Sequence, residues 1–273
     1  LENNLLRPEQ PLGIFDSGIG GLTVAHAVTR LLPSESIIYF GDTAHLPYGD
    51  KSTAAIQAYS IKICDLLLQQ GAKVILIACN SASVSAYDLV REYVGSRAKV
   101  LNVIDPVVHY IGENYANRTV GLIGTRRTVS SGVYRQKIKA LRRNITLKSL
   151  ATPLLVPMIE EGFVHNRLSQ YILDMYLTHK QLESVEALIL GCTHYPLIRP
   201  EVEAYYGDRL EVIDSSEMVA RALYQLLEEH HLLNQSGEGT KRFLVSDFTR
   251  TFQSQTRLFF GEKVELETYP LWE

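Results

Sequence analysis

Short runs of Ile, Leu and Val alternate along the chain with longer stretches in which apolar residues recur every three or four positions, the pattern of an α/β protein. The runs predict strands at 12–15, 36–40, 74–78, 100–104, 119–123, 145–150, 187–190, 210–213 and 242–245. Most are almost continuously apolar, as expected of strands covered on both faces in a parallel sheet. Between them, Ile56, Tyr59, Ile63 and Leu67 keep helical spacing and predict a helix over 53–70. The stretch 215–229 reads the same way, with a Ser cap and an acidic residue in its first turn.

The pattern also half-repeats. Gly13-Ile14-Phe15-Asp16-Ser17 is echoed by Gly121-Leu122-Ile123-Gly124-Thr125, and Ile75-Leu76-Ile77-Ala78-Cys79-Asn80 by Leu188-Ile189-Leu190-Gly191-Cys192-Thr193. Each half thus carries a strand ending in a Gly/Ser/Thr turn, then a strand ending in a small residue and Cys. Two pseudo-symmetric α/β domains with largely parallel sheets are predicted. Their facing cleft would receive the carboxyl ends of the strands, where such sheets bind ligands.

Composition narrows the function. The 273 residues are 46% hydrophobic with a net charge of −3 and no long basic block, which argues against nucleic acid or an anionic membrane as partner. No apolar run reaches the roughly 18 residues of a membrane span. The N-terminal stretch 1–11 has no apolar core of a signal peptide. Three cysteines without CxxC spacing make no disulfide framework, so a cytoplasmic location is expected.

Position separates those cysteines. Cys64 falls inside the predicted helix at 53–70 and reads as a small buried residue. Cys79 and Cys192 each end a buried strand before polar residues, and a thiol at a strand-to-helix junction is favoured as thiolate by the helix N-terminus. Three chemistries fit such a pair. Reversible disulfide exchange is one, although redox dithiols normally lie close in sequence. A metal site from Cys79, Cys192, His194 and Asp16 is another, without the CxxC or HxxxH spacing that usually pre-pairs ligands. The third is proton transfer at one carbon, one thiolate removing a proton while the other thiol supplies one to the opposite face.

The neighbours read two ways each. Asp16 could hold an ammonium group or tune Cys79, or could be the turn-forming carboxylate of the Gly18-Ile19-Gly20-Gly21 loop. His194 could serve Cys192 or be an ordinary loop histidine. Pro47-Tyr48-Gly49 is a simple turn, or a binding loop whose backbone and phenol meet the substrate. The glycine loop lacks GxGxxG spacing and a P-loop Lys, so it is weak evidence for a nucleotide; a phosphate-binding protein built on Asp16–Gly21 is the alternative from another class.

Taken together, residues 13–22, Pro47-Tyr48-Gly49, Ala78-Cys79-Asn80-Ser81-Ala82 and Gly191-Cys192-Thr193-His194-Tyr195-Pro196 resemble the bacterial glutamate racemases of the aspartate/glutamate racemase family. The resemblance spans nearly the whole chain. It implies an enzyme without cofactor or metal that interconverts L- and D-glutamate and supplies D-glutamate for peptidoglycan. It also implies two domains, 1–104 plus 214–273 and an inserted 105–213, with the active site between them. By that likeness Cys79 acts on the D-glutamate face and Cys192 on the L-glutamate face. Asp16, Ser17, Pro47, Tyr48, Gly49, Asn80, Ser81, Thr125, Thr193 and His194 fall at substrate-binding positions. Glu160 matches a carboxylate that assists Cys192 and His194, with Glu161 adjacent as a competing assignment. One departure is Ser81, where the family usually has Thr; the hydroxyl donor is retained. Aspartate racemases share the two cysteines but tend to carry an acidic residue where His194 stands, which favours glutamate over aspartate; a racemase or isomerase of another small acid is the alternative within the same family. The expected partner is the small-molecule substrate, with a homodimer as the commonest assembly.

Overall fold

The computed structural model describes residues 6–273; the N-terminal stretch read for a leader begins in residues 1–5, outside the described residues. The apolar runs become strands β1 (Leu12–Asp16), β2 (Ile37–Gly41), β3 (Val74–Ile77), β4 (Lys99–Asn102), β5 (Thr119–Gly124), β6 (Thr146–Ala151), β7 (Ala187–Gly191), β8 (Glu211–Asp214), β9 (Lys241–Val245) and β10 (Leu266–Thr268). They pair in parallel in two sheets, ordered β10-β9-β2-β1-β3-β4 and β6-β5-β7-β8. Without β9 and β10 the orders are equivalent, each half arranging its strands second, first, third, fourth. Register repeats as well. Gly13 of β1 pairs with Ile75 of β3, and its echo Gly121 of β5 pairs with Leu188 of β7.

Alternation along the strands explains how the sheets are covered. In β1 and β3, Leu12, Ile14, Val74 and Leu76 face one apolar core with the helix Leu22–Leu31, while Phe15, Ile75 and Ile77 face a second with Ile56, Ile63 and Leu67 of the helix Thr53–Gln69. Each such side chain, once buried, contributes about 1.5–3 kcal/mol. The first core continues into the other sheet through Val120, Leu122 and residues 188–190, and the helix Ser215–Glu229 packs against both Leu22–Leu31 and Asp105–Asn114. Cys64 is fully buried within the second core.

Three expectations are corrected. β10 has no predicted counterpart, because Leu266 is its one buried residue and Glu267 and Thr268 lie exposed at the sheet edge. Full coverage holds for β1, β3 and β7 but not for the edge strands β4 and β6, whose residues are mostly half-exposed. The helix Ser215–Glu229 is capped by Asp214, whose carboxylate accepts from the Ser216 N–H at 2.8 Å, rather than by Ser215. No helix among the described residues is long and apolar enough to cross a membrane.

At the end of the first sheet away from the cleft, Lys73 and Glu35 form a buried ion pair at 2.6 Å. Lys73 also donates to the carbonyls of Pro8 and, at 2.8 Å, Leu232, while Glu35 accepts from the Asn234 N–H at 2.8 Å. Burial lowers the Lys73 pKa, opposed by its bond and attraction to Glu35. Lys73→Ala would leave a buried, uncompensated carboxylate and is expected to cost about 3–5 kcal/mol in urea unfolding. Lys73→Met combined with Glu35→Gln should recover most of that loss. Equal midpoints for Lys73→Ala and the parent chain would refute this account.

Candidate active site

The carboxyl ends of β1, β3, β5 and β7 converge on one cavity of about 90 Å³. Of the residues singled out in the sequence, Ser17, Pro47, Tyr48, Gly49, Asn80, Ser81, Thr125, Glu160, Cys79, Cys192, Thr193 and His194 line it. Cys79 enters from the end of β3 and Cys192 from the end of β7, so the two sheets contribute one thiol each. The Ser81 and Thr125 hydroxyls meet across the cavity at 2.9 Å.

Equivalent strands do not give the thiols equivalent surroundings. Cys79 is the N-cap of the helix Asn80–Val94 and its Sγ accepts from the Ala82 N–H at 3.5 Å, with Ser17 Oγ at 3.7 Å. Burial and then the Asp16 carboxylate push the Cys79 thiol well above its ordinary pKa, outweighing the Ala82 and Ser17 contacts. The expected net thiolate preference from the helix N-terminus is therefore reversed here. At Cys192 the expectation fails differently: the chain enters a 3-10 turn at Tyr195–Ile198 before the helix Arg199–Tyr206. Instead, Cys192 Sγ lies 3.7 Å from His194 Nδ1, and His194 Nε2 lies 3.0 Å from Glu160 Oε1. Burial disfavours the charged imidazole, yet the contacts with Cys192 and Glu160 prevail and raise the His194 pKa to about 10. A buried imidazolium anchored by a carboxylate is thus the cation beside Cys192. Glu161, the competing carboxylate, is exposed.

Asp16 stands behind the residues that line the cavity and makes the turn of the glycine loop. It is fully buried, and its Oδ2 accepts from the Gly18 and Gly21 N–H groups at 3.1 and 3.0 Å. Its Oδ1 has no partner among the described residues, and its charge is felt at Cys79. Those two N–H groups are therefore committed to a carboxylate, which removes the basis for the phosphate alternative. The glycines of this loop serve packing instead. A Cβ on Gly20 would lie 2.4 Å from His194 Cε1 and Nδ1, and one on Gly21 2.6 Å from Asp16 Cβ. Gly20→Ala is expected to displace the imidazole from Cys192 and lower kcat about 100-fold while the chain stays folded. Near-parent kcat with an unchanged circular dichroism spectrum would contradict it.

Tyr48 also departs from its expected role. Its ring is buried in the cavity wall, but its hydroxyl donates to Asp42 Oδ2 at 2.6 Å. The phenol is committed within the protein, leaving the ring and backbone of the loop to meet a ligand. Asn80 Oδ1 accepts from Tyr134 at 2.8 Å, which fixes the amide, while its buried Nδ2 has no partner among the described residues. Sequence reading missed Asp50, Arg126, Thr152 and Val156 in the lining. Asp50 and Arg126 pair at 3.3 Å between the segments that follow β2 and β5, a relation between distant loops that no local spacing encodes. Among the described residues no cluster of three or more His, Cys, Asp or Glu could hold a metal ion.

Comparison with known proteins agrees with this geometry. The profile of the Asp/Glu/Hydantoin racemase family matches residues 22–223. A glutamate racemase from Chlorobaculum parvum is 39% identical over 255 residues, covering 93% of each chain. The structure of glutamate racemase from Francisella tularensis in complex with D-glutamate superposes with a TM-score of 0.91 at 38% identity, covering 97% of this chain and 99% of that one. Glutamate racemase from Thermus thermophilus in complex with beta-chloro-D-alanine gives a TM-score of 0.86 at 37% identity, covering 96% and 98%.

Proposed function

The chain belongs to the Asp/Glu/Hydantoin racemase family, and we propose on that premise that it is a glutamate racemase, interconverting L- and D-glutamate by proton transfer between two thiols. The observation that carries the mechanism is the pair Cys79 and Cys192, delivered to one cavity from the ends of corresponding strands in two sheets. In the L-to-D direction, a Cys192 thiolate takes the Cα proton. The electron pair left on Cα delocalises into the α-carboxylate, and the Cys79 thiol returns a proton to the opposite face. The reverse reaction exchanges the two roles.

An amino-acid α-proton is very weakly acidic, so the charge developing on the carboxylate needs donors already in place. Asn80 Nδ2 suits this, being buried, oriented by Tyr134 and unpartnered; the Ser81, Thr125 and Thr193 hydroxyls surround the same space. In this reading Asp16 Oδ1 offsets the substrate ammonium from within the wall. Closure of the cavity over the substrate would keep water from screening these interactions. Domains 1–104 plus 214–273 and 105–213 are the moving units, closing over substrate. Supply of D-glutamate for peptidoglycan, a cytoplasmic location and a homodimer belong to the same proposal.

Circular dichroism of D- and L-glutamate, each incubated with the protein and no added cofactor, tests the activity. Both should decay to zero ellipticity. In D₂O the product should carry deuterium at Cα. Racemisation without label would reject proton transfer, and decay of aspartate faster than glutamate would reject the substrate.

A further inference from the structure

Behind the Tyr48 wall lies a cluster with no part in the chemistry above. Asp42 is fully buried at the end of β2 and accepts from segments far apart in sequence: Tyr48 Oη at 2.6 Å, Ser246 Oγ at 2.8 Å and Trp272 Nε1 at 2.8 Å, with His45 Nδ1 3.0 Å from both of its oxygens. The aromatic rings pack around these bonds. His45 stacks on Tyr59 with centroids 4.1 Å apart, and the Trp272 ring meets His45 edge-on at 4.5 Å and Tyr59 at 5.4 Å. The segment leading to Trp272 leaves β10 with the Tyr269 N–H bonded to the Val245 carbonyl at 2.9 Å.

A buried carboxylate paired with no Lys or Arg among the described residues depends on such donors to be held in place. Its position in turn fixes the Tyr48 phenol, and with it the backbone at Gly49, where an added Cβ would lie 3.0 Å from Thr125 of the other lobe. We propose that Trp272 is a positioning residue for substrate binding, its indole N–H holding the Tyr48–Gly49 wall of the cavity in place through Asp42. This rests on the reading of the cavity as the glutamate site. The wall carries no group that gains or loses a proton in the reaction, since the phenol is committed to Asp42. Loosening it therefore weakens the bound ground state and the transition state alike, a change in KM with kcat retained.

Trp272→Phe removes the N–H and keeps a ring against His45 and Tyr59. In the full chain it is expected to raise KM for both D- and L-glutamate about tenfold, with kcat within about twofold of the parent. Ser246→Ala, which removes another donor to the same oxygen, should act in the same direction and serves if Trp272→Phe does not fold. Lys62→Ala, which removes only the ammonium 4.9 Å from the indole ring centroid, should leave both constants unchanged. Trp272 is the single tryptophan of the chain, so its emission reports on this cluster directly. Saturation with racemic glutamate should shift the emission of the unaltered protein, with a midpoint near KM. No turnover by the unaltered chain would refute the racemase reading and this proposal with it. Normal turnover with an unchanged KM in Trp272→Phe, a fall in kcat alone, or emission indifferent to glutamate would refute this proposal while leaving the racemase reading intact.

Discussion

Cys192→Ala is expected to abolish racemisation, lowering kcat/KM on the order of 10³-fold or more in both directions, and Cys79→Ala to do the same. Enantiomers have equal free energies in water, so the two kcat/KM values must remain equal in any variant. A one-sided loss of racemisation is thermodynamically excluded, even though the two thiols occupy unlike surroundings. Their division of labour must be read elsewhere, in exchange of the Cα proton without inversion. A chain with only Cys79 can remove a proton from D-glutamate and return one to the same face. Its exchange with D₂O should be confined to the D enantiomer, and that of Cys79→Ala to the L enantiomer. Racemisation within tenfold of the parent in either variant would overturn the two-thiol scheme. Exchange of both enantiomers by one variant would overturn the assignment of faces.

The unlike surroundings also mark where sequence reading stops. The two halves were legible because buried parallel strands leave continuous apolar runs, and because corresponding turns end in similar small and polar residues. The sheet orders and the pairing of Gly13 with Ile75 and Gly121 with Leu188 follow that echo. Residues inside three of the four motifs were legible for a related reason: they sit on or just beyond a strand end, so local position indicates the cleft, whereas Pro47-Tyr48-Gly49 lies well past β2 and was legible through the resemblance. Asp42 also stands just beyond a strand end, but its role was illegible because its donors Ser246 and Trp272 come from the far end of the chain. The bond of the Tyr48 phenol was hidden in the same way, its hydroxyl being drawn to that carboxylate while the ring lines the cavity. The net effect on the thiols was equally illegible. The helix N-terminus after Cys79 could be inferred, but the opposing burial and the Asp16 charge depend on how closely β1 and β3 pack. At Cys192 the deciding partner is Glu160, brought up from 34 residues away to hold His194.

That last contact sets the second large effect. His194→Asn should lower kcat/KM about 10²–10³-fold, because a thiolate at Cys192 loses the buried cation beside it. The alkaline fall of kcat/KM near pH 10, where the parent imidazolium loses its proton, should disappear from the profile of the variant. A merely structural histidine would lower the profile without moving its limbs. Stability gives an independent reading with a definite sign. His194 holds its proton up to about pH 10 in the folded chain, against an ordinary value of 6.5 in the unfolded one. Its contribution to folding is therefore complete below about pH 6.5 and is lost as pH rises towards 10. Urea midpoints of the parent should fall across that window, and His194→Asn should remove much of the slope while Lys73→Ala, remote from the cavity, should not. Glu160→Gln keeps a hydrogen-bond acceptor on the imidazole but withdraws its counter-charge, so it should reproduce the His194→Asn effects in weaker form. If Glu160→Gln left both the alkaline limb and the stability slope of the parent intact, the carboxylate would be no more than a neighbour, and the charge at His194 would have to be sustained by Cys192 alone.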